Sequence, residues 1–164
     1  MRLLFPLLLL LAGMSAEQIP SKFFGRFVHD HSENFDAFLA SKGVNWFLRK
    51  MIQFTSVTKV ISKGSSENSY TLENLSSKKN TKYADWKLGE TFQAEGLDST
   101  MHNITFNFAE DTLRETHIRI EQADAKPETY HYSIDKDDFL LLKMENNGIS
   151  CKRFFKRIEV EEKK

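Results

Sequence analysis

Apolar and polar residues follow a helical spacing over one short early stretch and alternate in twos almost everywhere after it. Phe23–His29 alternates as a first strand, with Gly25 allowing a bend or close packing. Phe35, Phe38 and Leu39 then recur at helical intervals. Ser32 is the expected N-cap of that helix, Glu33 sits favourably near its start, and Gly43 is the expected stop. A second stripe joins Val44, Phe47, Leu48, Met51 and Ile52, with Asn45, Arg49 and Lys50 off it. Helices this short need tertiary packing to hold them.

From Phe54 onward the alternation predicts strands over Phe54–Ser62, Tyr70–Leu75, Lys82–Leu88, Thr91–Leu97, Met101–Phe108, Leu113–Ile120, Glu128–Ile134, Phe139–Glu145 and Ile149–Ile158. Turn residues separate them, for example at Lys63–Ser66, Asp124–Pro127 and Asn146–Gly148. Even spacing of this kind predicts an antiparallel sandwich or barrel. A barrel hides its edges and can enclose a cavity. The helix pair, inserted after the first strand, is placed to cap one mouth.

The amino terminus breaks the pattern. Arg2 is followed by a run of apolar residues to Ala12 and then small residues, the arrangement of a secretory leader. Cleavage is expected near Ser15 or Ala16, so 1–16 is read as the leader and 17–164 as a single exported domain. That domain of about 148 residues is a usual size for one core. It must hold without a disulfide, because Cys151 is the only cysteine. The alternation around Cys151 predicts a buried apolar thiol.

The formal net charge is zero, which leaves no electrostatic footprint for nucleic acid. Fourteen phenylalanines point to an apolar interior that is lined or filled by rings. On the last strand Ile149, Cys151, Arg153 and Phe155 share one face. That face is apolar except for Arg153, and a buried guanidinium must find an anion. A ligand carboxylate in a forked pair is one answer. Pairing with an internal acid, or an inward turn of the opposite face, is the other.

His29 and His31 are too few for a metal site. His131, between Tyr130 and Tyr132, is a candidate polar cavity residue. Nucleophile motifs and phosphate loops are absent, and Glu110-Asp111 and Asp137-Asp138 lie in predicted turns. No cofactor is implied. Asn74-Leu75-Ser76 and Asn103-Ile104-Thr105 are candidate N-glycosylation sites.

Ser32–Leu39, Gly43-Val44 and Phe47–Met51 resemble the opening of the intracellular lipid-binding family, the fatty-acid-binding proteins. Leu88-Gly89-Glu90-Thr91-Phe92 resembles the family's mid-chain turn, and Gly148–Phe155 its closing strand. The leader, together with Glu73-Asn74-Leu75, Asp98-Ser99-Thr100, Thr105-Phe106, Glu115–Ile118 and Glu128-Thr129-Tyr130, is similar to the secreted nematode members. The resemblance implies a mainly β fold, a ten-stranded antiparallel barrel with a helix-turn-helix lid. It implies a monomeric carrier of a long-chain fatty acid or similar lipid, and no enzymatic activity.

In the family an Arg-x-Tyr pair on the last strand holds the carboxylate. Arg153 falls on the arginine and Phe155 on the tyrosine, so the phenolic donor is missing here. A second family arginine falls on Ser133 by spacing. Phe35 and Phe38 match lid residues that face the lipid chain. Lys42 and Lys50 are candidates for transient membrane contact through the lid. Two other readings compete with this one. A lipocalin would want Gly-x-Trp on its first strand, where this chain has Gly25-Arg26-Phe27. A protein-interaction domain would have its barrel filled by side chains.

Overall fold

The computed structural model describes residues 17–159. The expected leader, 1–16, lies outside the described residues. After a 3-10 turn at Ser21–Phe23 come β1 (Gly25–Glu33), α1 (Phe35–Ser41) and α2 (Trp46–Phe54). Nine strands follow: β2 (Val57–Lys63), β3 (Tyr70–Ser76), β4 (Thr81–Trp86), β5 (Thr91–Glu95), β6 (Met101–Ala109), β7 (Thr112–Arg119), β8 (Glu128–Ile134), β9 (Phe139–Asn146) and β10 (Ile149–Ile158).

All ten strands form one antiparallel sheet in the order β4-β3-β2-β1-β10-β9-β8-β7-β6-β5. The first and last strands pair with each other, so the sheet curls into a barrel. Only β4 and β5 lack a shared ladder. Side chains bridge that seam, with the Tyr83 and Phe92 rings 5.9 Å apart and the Tyr83 hydroxyl donating to the Glu95 carbonyl at 3.2 Å. The expected ten-stranded barrel with two helices is therefore what the chain adopts.

Several boundaries differ from the expected ones. β1 does not stop at His29; a bulge between His29 and His31 lets it run on to Glu33. Ser32 is consequently a strand residue opposite Arg153 and not a helix cap. Asn34 begins α1 instead, in the left-handed conformation at φ 59°, with its amide donating to the Ser150 carbonyl at 2.7 Å. Asparagine tolerates that conformation better than most residues. α2 takes Asn45 as its cap, whose side chain accepts from the Leu48 amide at 3.0 Å. It runs through Phe54, which was expected to open a strand.

One end of the barrel is packed solid. Phe23, Phe27, Phe106 and Leu113 are wholly buried there, and the Trp86 ring stacks on Phe106 at 3.8 Å. The 3-10 turn closes this end. Arg157 clamps it by donating to the Phe24 and Lys22 carbonyls and to both oxygens of Asp138. Gly25 is required for that clamp, because a Cβ at this position would come within 2.7 Å of the Arg157 guanidinium. Full burial of each such ring is worth roughly 1.5–3 kcal/mol.

The lid is held less evenly. α1 buries Phe35, Phe38 and Leu39, and the Asn146 amide donates to the Ser41 carbonyl at 3.0 Å. α2 buries no residue. Trp46, Phe47 and Phe54 are exposed on its surface, Phe54 by 88%.

Candidate ligand cavity

Under the lid the inward side chains do not meet. They leave a cavity of about 550 Å³, within the range of roughly 300–1,000 Å³ usual for small-molecule sites. Phe35, Phe38, Leu48, Ile52, Leu142 and Met144 supply apolar wall. Phe155 is wholly buried but stands behind this wall rather than on it.

Arg153 reaches the cavity from β10 and is only 9% exposed. Its Nε donates to the Ser32 hydroxyl at 3.3 Å. The guanidinium carbon lies 4.3 Å from the centre of the Phe35 ring and 5.4 Å from that of Phe155. Among the described residues it makes no ion pair. Burial lowers its pKa to about 10, which leaves it a cation at neutral pH. Such a charge, desolvated and without an anion, costs several kcal/mol. A smaller space of about 310 Å³, lined by His29, Ser32, Asn34, Asp36 and Gln53, touches the same guanidinium from its other side. Burial, then the charge of Arg153, pushes His29 down to about 4.

A second polar group crosses the barrel. Lys59 on β2 is buried and donates to the Asn74 side-chain oxygen on β3 at 2.6 Å and to the Tyr132 hydroxyl on β8 at 3.2 Å. Tyr132 donates to Glu115 at 2.7 Å. The other Glu115 oxygen faces His117 Nε2 at 2.7 Å, and His117 Nδ1 lies 3.0 Å from His102 Nδ1. His102 Nε2 is 2.9 Å from Asp98, which also accepts from Arg119 at 3.0 Å. Both Nε2 atoms face carboxylates and are placed to donate to them. Gly96 makes room for this arrangement, since a Cβ there would come within 2.9 Å of His102. Burial lowers Lys59 to about 8, although the charge of Glu115 opposes the shift. Burial disfavours the Glu115 carboxylate, but the His117 hydrogen bond and nearby cations outweigh it and hold Glu115 below its usual range.

No family model matches the chain. Individual proteins do. A Caenorhabditis elegans protein named fatty acid-binding protein homolog 4 is 53% identical over 141 residues, 86% of this chain and 97% of that one. A fatty acid-binding protein homolog of Ascaris suum is 40% identical over 158 residues, 94% of this chain and 96% of that one. The solved structure of As-p18, described as an extracellular fatty acid binding protein, superposes with a TM-score of 0.83 at 41% identity. It covers 87% of this chain and 100% of that one.

The chain belongs to the fatty-acid-binding protein family. Its members are named for binding, and the barrel, lid and cavity are arranged as binding requires. Of the residues implied by resemblance to the family, the structure brings the headgroup position Arg153 and the lid residues Phe35 and Phe38 together at the cavity.

It does not bring Ser133 there. Tyr132 is in register with Leu142 and hence with Arg153, while Ser133 aligns with Leu141 and Phe154 on the outward face. A shift of one residue turns a strand side chain to the other face, so Ser133 points away from the cavity that its neighbour Tyr132 lines. His131 is exposed for the same reason, because the tyrosines flanking it take the inward face.

Asn74 is 3% exposed, with its side chain engaged by Lys59 and Thr81 inside the barrel, so the fold leaves no room for a sugar there. Asn103 alternates with buried His102 and Ile104 and faces outward. Lys42 is not a free surface charge: it pairs with Glu128 at 2.7 Å, and Lys50 lies 3.8 Å from Asp36. Cys151 is buried as expected, and burial raises its thiol to about 11.

The sequence reading missed Lys59, Tyr132, Glu115, His117 and His102. Their signal was present. Val57-Lys59-Ile61 and Leu113-Glu115-His117 each put polar residues on a face that also carries buried apolar ones.

Proposed function

We propose that this protein is a secreted, monomeric carrier of a long-chain fatty acid, held in the cavity under the lid with its carboxylate on Arg153. The observation that carries the reading is a buried guanidinium that, among the described residues, has no anion, set on the otherwise apolar inward face of β10. A carboxylate there would neutralise the charge through a forked, charge-assisted pair. Apolar contact supplies the gross affinity, at roughly 0.8 kcal/mol per buried methylene. Arg153 supplies orientation and preference for an acid. Phe155 brings no phenolic donor, and Ser32 is the hydroxyl within reach of the arginine instead. Phe35 and Phe38 close over the lipid chain. The protein carries and releases its ligand without chemical turnover and needs no cofactor.

Secretion is supported by the leader pattern of the first sixteen residues and by the likeness to As-p18, which is described as extracellular. Delivery is read as brief membrane contact through α2. That helix buries no residue and exposes Trp46, Phe47 and Phe54.

Native mass spectrometry tests the reading. The delipidated chain from residue 17 onward is offered oleate beside oleyl alcohol. A one-to-one oleate adduct, with the alcohol bound less, is expected. An absence of both adducts would return the filled-barrel interaction domain as the better account.

A further inference from the structure

Lys59 is buried in a site that the carboxylate reading does not use. An ammonium has three donors. Among the described residues only two acceptors face it, Asn74 and the Tyr132 hydroxyl. Glu115 likewise has spare acceptor positions. A carboxylate offers about four, and His117 and Tyr132 are the two donors it meets. Lys59 and Glu115 converge on one atom, the Tyr132 hydroxyl, at 3.2 and 2.7 Å. All three side chains line the cavity. They adjoin the carboxylate anchor across one ring: the Phe155 ring centre lies 5.6 Å from Lys59 Nζ and 5.4 Å from the Arg153 guanidinium carbon.

Bare methylenes are a poor complement to this place. A ligand hydroxyl is a better one, because it can accept from Lys59 while donating to Glu115. We infer that the cavity selects fatty acids carrying a hydroxyl along the chain, with Lys59 and Glu115 reading that hydroxyl beside Tyr132. This rests on the carboxylate reading for Arg153 and adds the ligand's second polar group. Burial of Lys59 strengthens each bond it makes, since a hydrogen bond gains in a low-dielectric interior.

The test uses the delipidated chain from residue 17 onward and measures dissociation constants for stearate and for stearates hydroxylated at successive positions. At least one hydroxystearate is expected to bind about tenfold tighter than stearate, the gain of one hydrogen bond to a charged group. In Lys59→Met the ratio should fall to within about twofold, a change of one hydrogen-bond increment. Stearate binding as tightly as every isomer would overturn the inference while leaving the fatty-acid reading intact. So would a folded Lys59→Met variant that keeps the full preference. Binding of neither acid would overturn both readings. If Lys59→Met does not fold, NMR of the wild-type Lys59 side chain decides. Its Cε signal should shift with the preferred hydroxystearate and not with stearate, and equal shifts would contradict the inference.

Discussion

At the closed end of the barrel Phe23, Phe27, Phe106 and Leu113 fill the interior, whereas at the lid end the same two-residue alternation delivers Lys59, Glu115, His117 and Arg153. The two ends bury their side chains in different ways. The closed end does so with dispersion and ring stacking. The lid end does so with a chain of hydrogen bonds from Asn74 to Asp98, while among the described residues the Arg153 guanidinium makes no ion pair. Stability and function are thus separated along the barrel axis. Packed rings, with Arg157 over Phe27, hold the closed end, and the proposed ligand contacts lie among the charges at the lid end.

The comparison is broken most severely from the closed end. Phe106→Ala should cost about 3–5 kcal/mol of stability, as truncation of a fully buried ring does, and urea unfolding measures it. Oleate stoichiometry in the folded fraction should stay at one. A loss below about 1 kcal/mol would mean the closed end is not the packed core, since large-to-small core changes cost more than that.

The lid end should respond in the opposite sense. Arg153→Met removes an unpaired buried cation, so the ligand-free protein should gain about 1 kcal/mol. Its affinity for oleate should fall about tenfold or more, the worth of a hydrogen bond to a charged group. Binding of oleyl alcohol should change little. Equal losses for acid and alcohol would make the arginine structural.

Acidity sharpens the contrast. His29 has its pKa lowered from 6.5 to about 4 in the folded chain, first by burial and then by Arg153. The unfolded chain therefore binds more protons across that interval, and stability should fall as pH drops from 6.5 towards 4. His29→Gln should flatten this part of the thermal stability profile. Glu115 and Glu128, both held below the usual carboxylate range, should add a further loss at lower pH. A profile unchanged by His29→Gln would remove His29 from the account.

The smallest effect is expected on the lid surface. Phe54→Ser should move stability by no more than about 0.5 kcal/mol, as exposed substitutions do. Transfer of a fluorescent fatty acid to phospholipid vesicles should nevertheless slow. Unchanged transfer would argue against α2 as the membrane contact.

The alternation of the strands and the two short apolar stripes were enough to find the ten strands and both α-helices, but not the 3-10 turn at Ser21–Phe23, whose Phe23 was read as the start of the first strand. They were not enough for its joints. The bulge at Asp30 adds one residue to β1, and nothing in the local pattern announces it. That residue moved Ser32 from helix cap to the partner of Arg153. Ser133 was expected at the cavity and faces away from it, because spacing along the chain takes no account of the ladder that joins β8 to β9. Arg153 was legible, being one charge on an apolar face. For the belt through Lys59 and Glu115 only the polar residues on part-buried faces were legible and not the belt itself, because its members sit on five strands and an adjoining turn and meet only across the closed barrel.

The central claim is that Arg153 holds a ligand carboxylate inside the lid-end cavity, and NMR of oleate labelled with carbon-13 at its carboxyl tests it most directly. In the wild-type protein the bound carboxyl signal should stay that of the ionised form as pH falls through the ordinary carboxylate range, because the guanidinium favours the charge. In Arg153→Met the signal should titrate at higher pH. A bound carboxyl that titrates identically in both proteins would contradict the account.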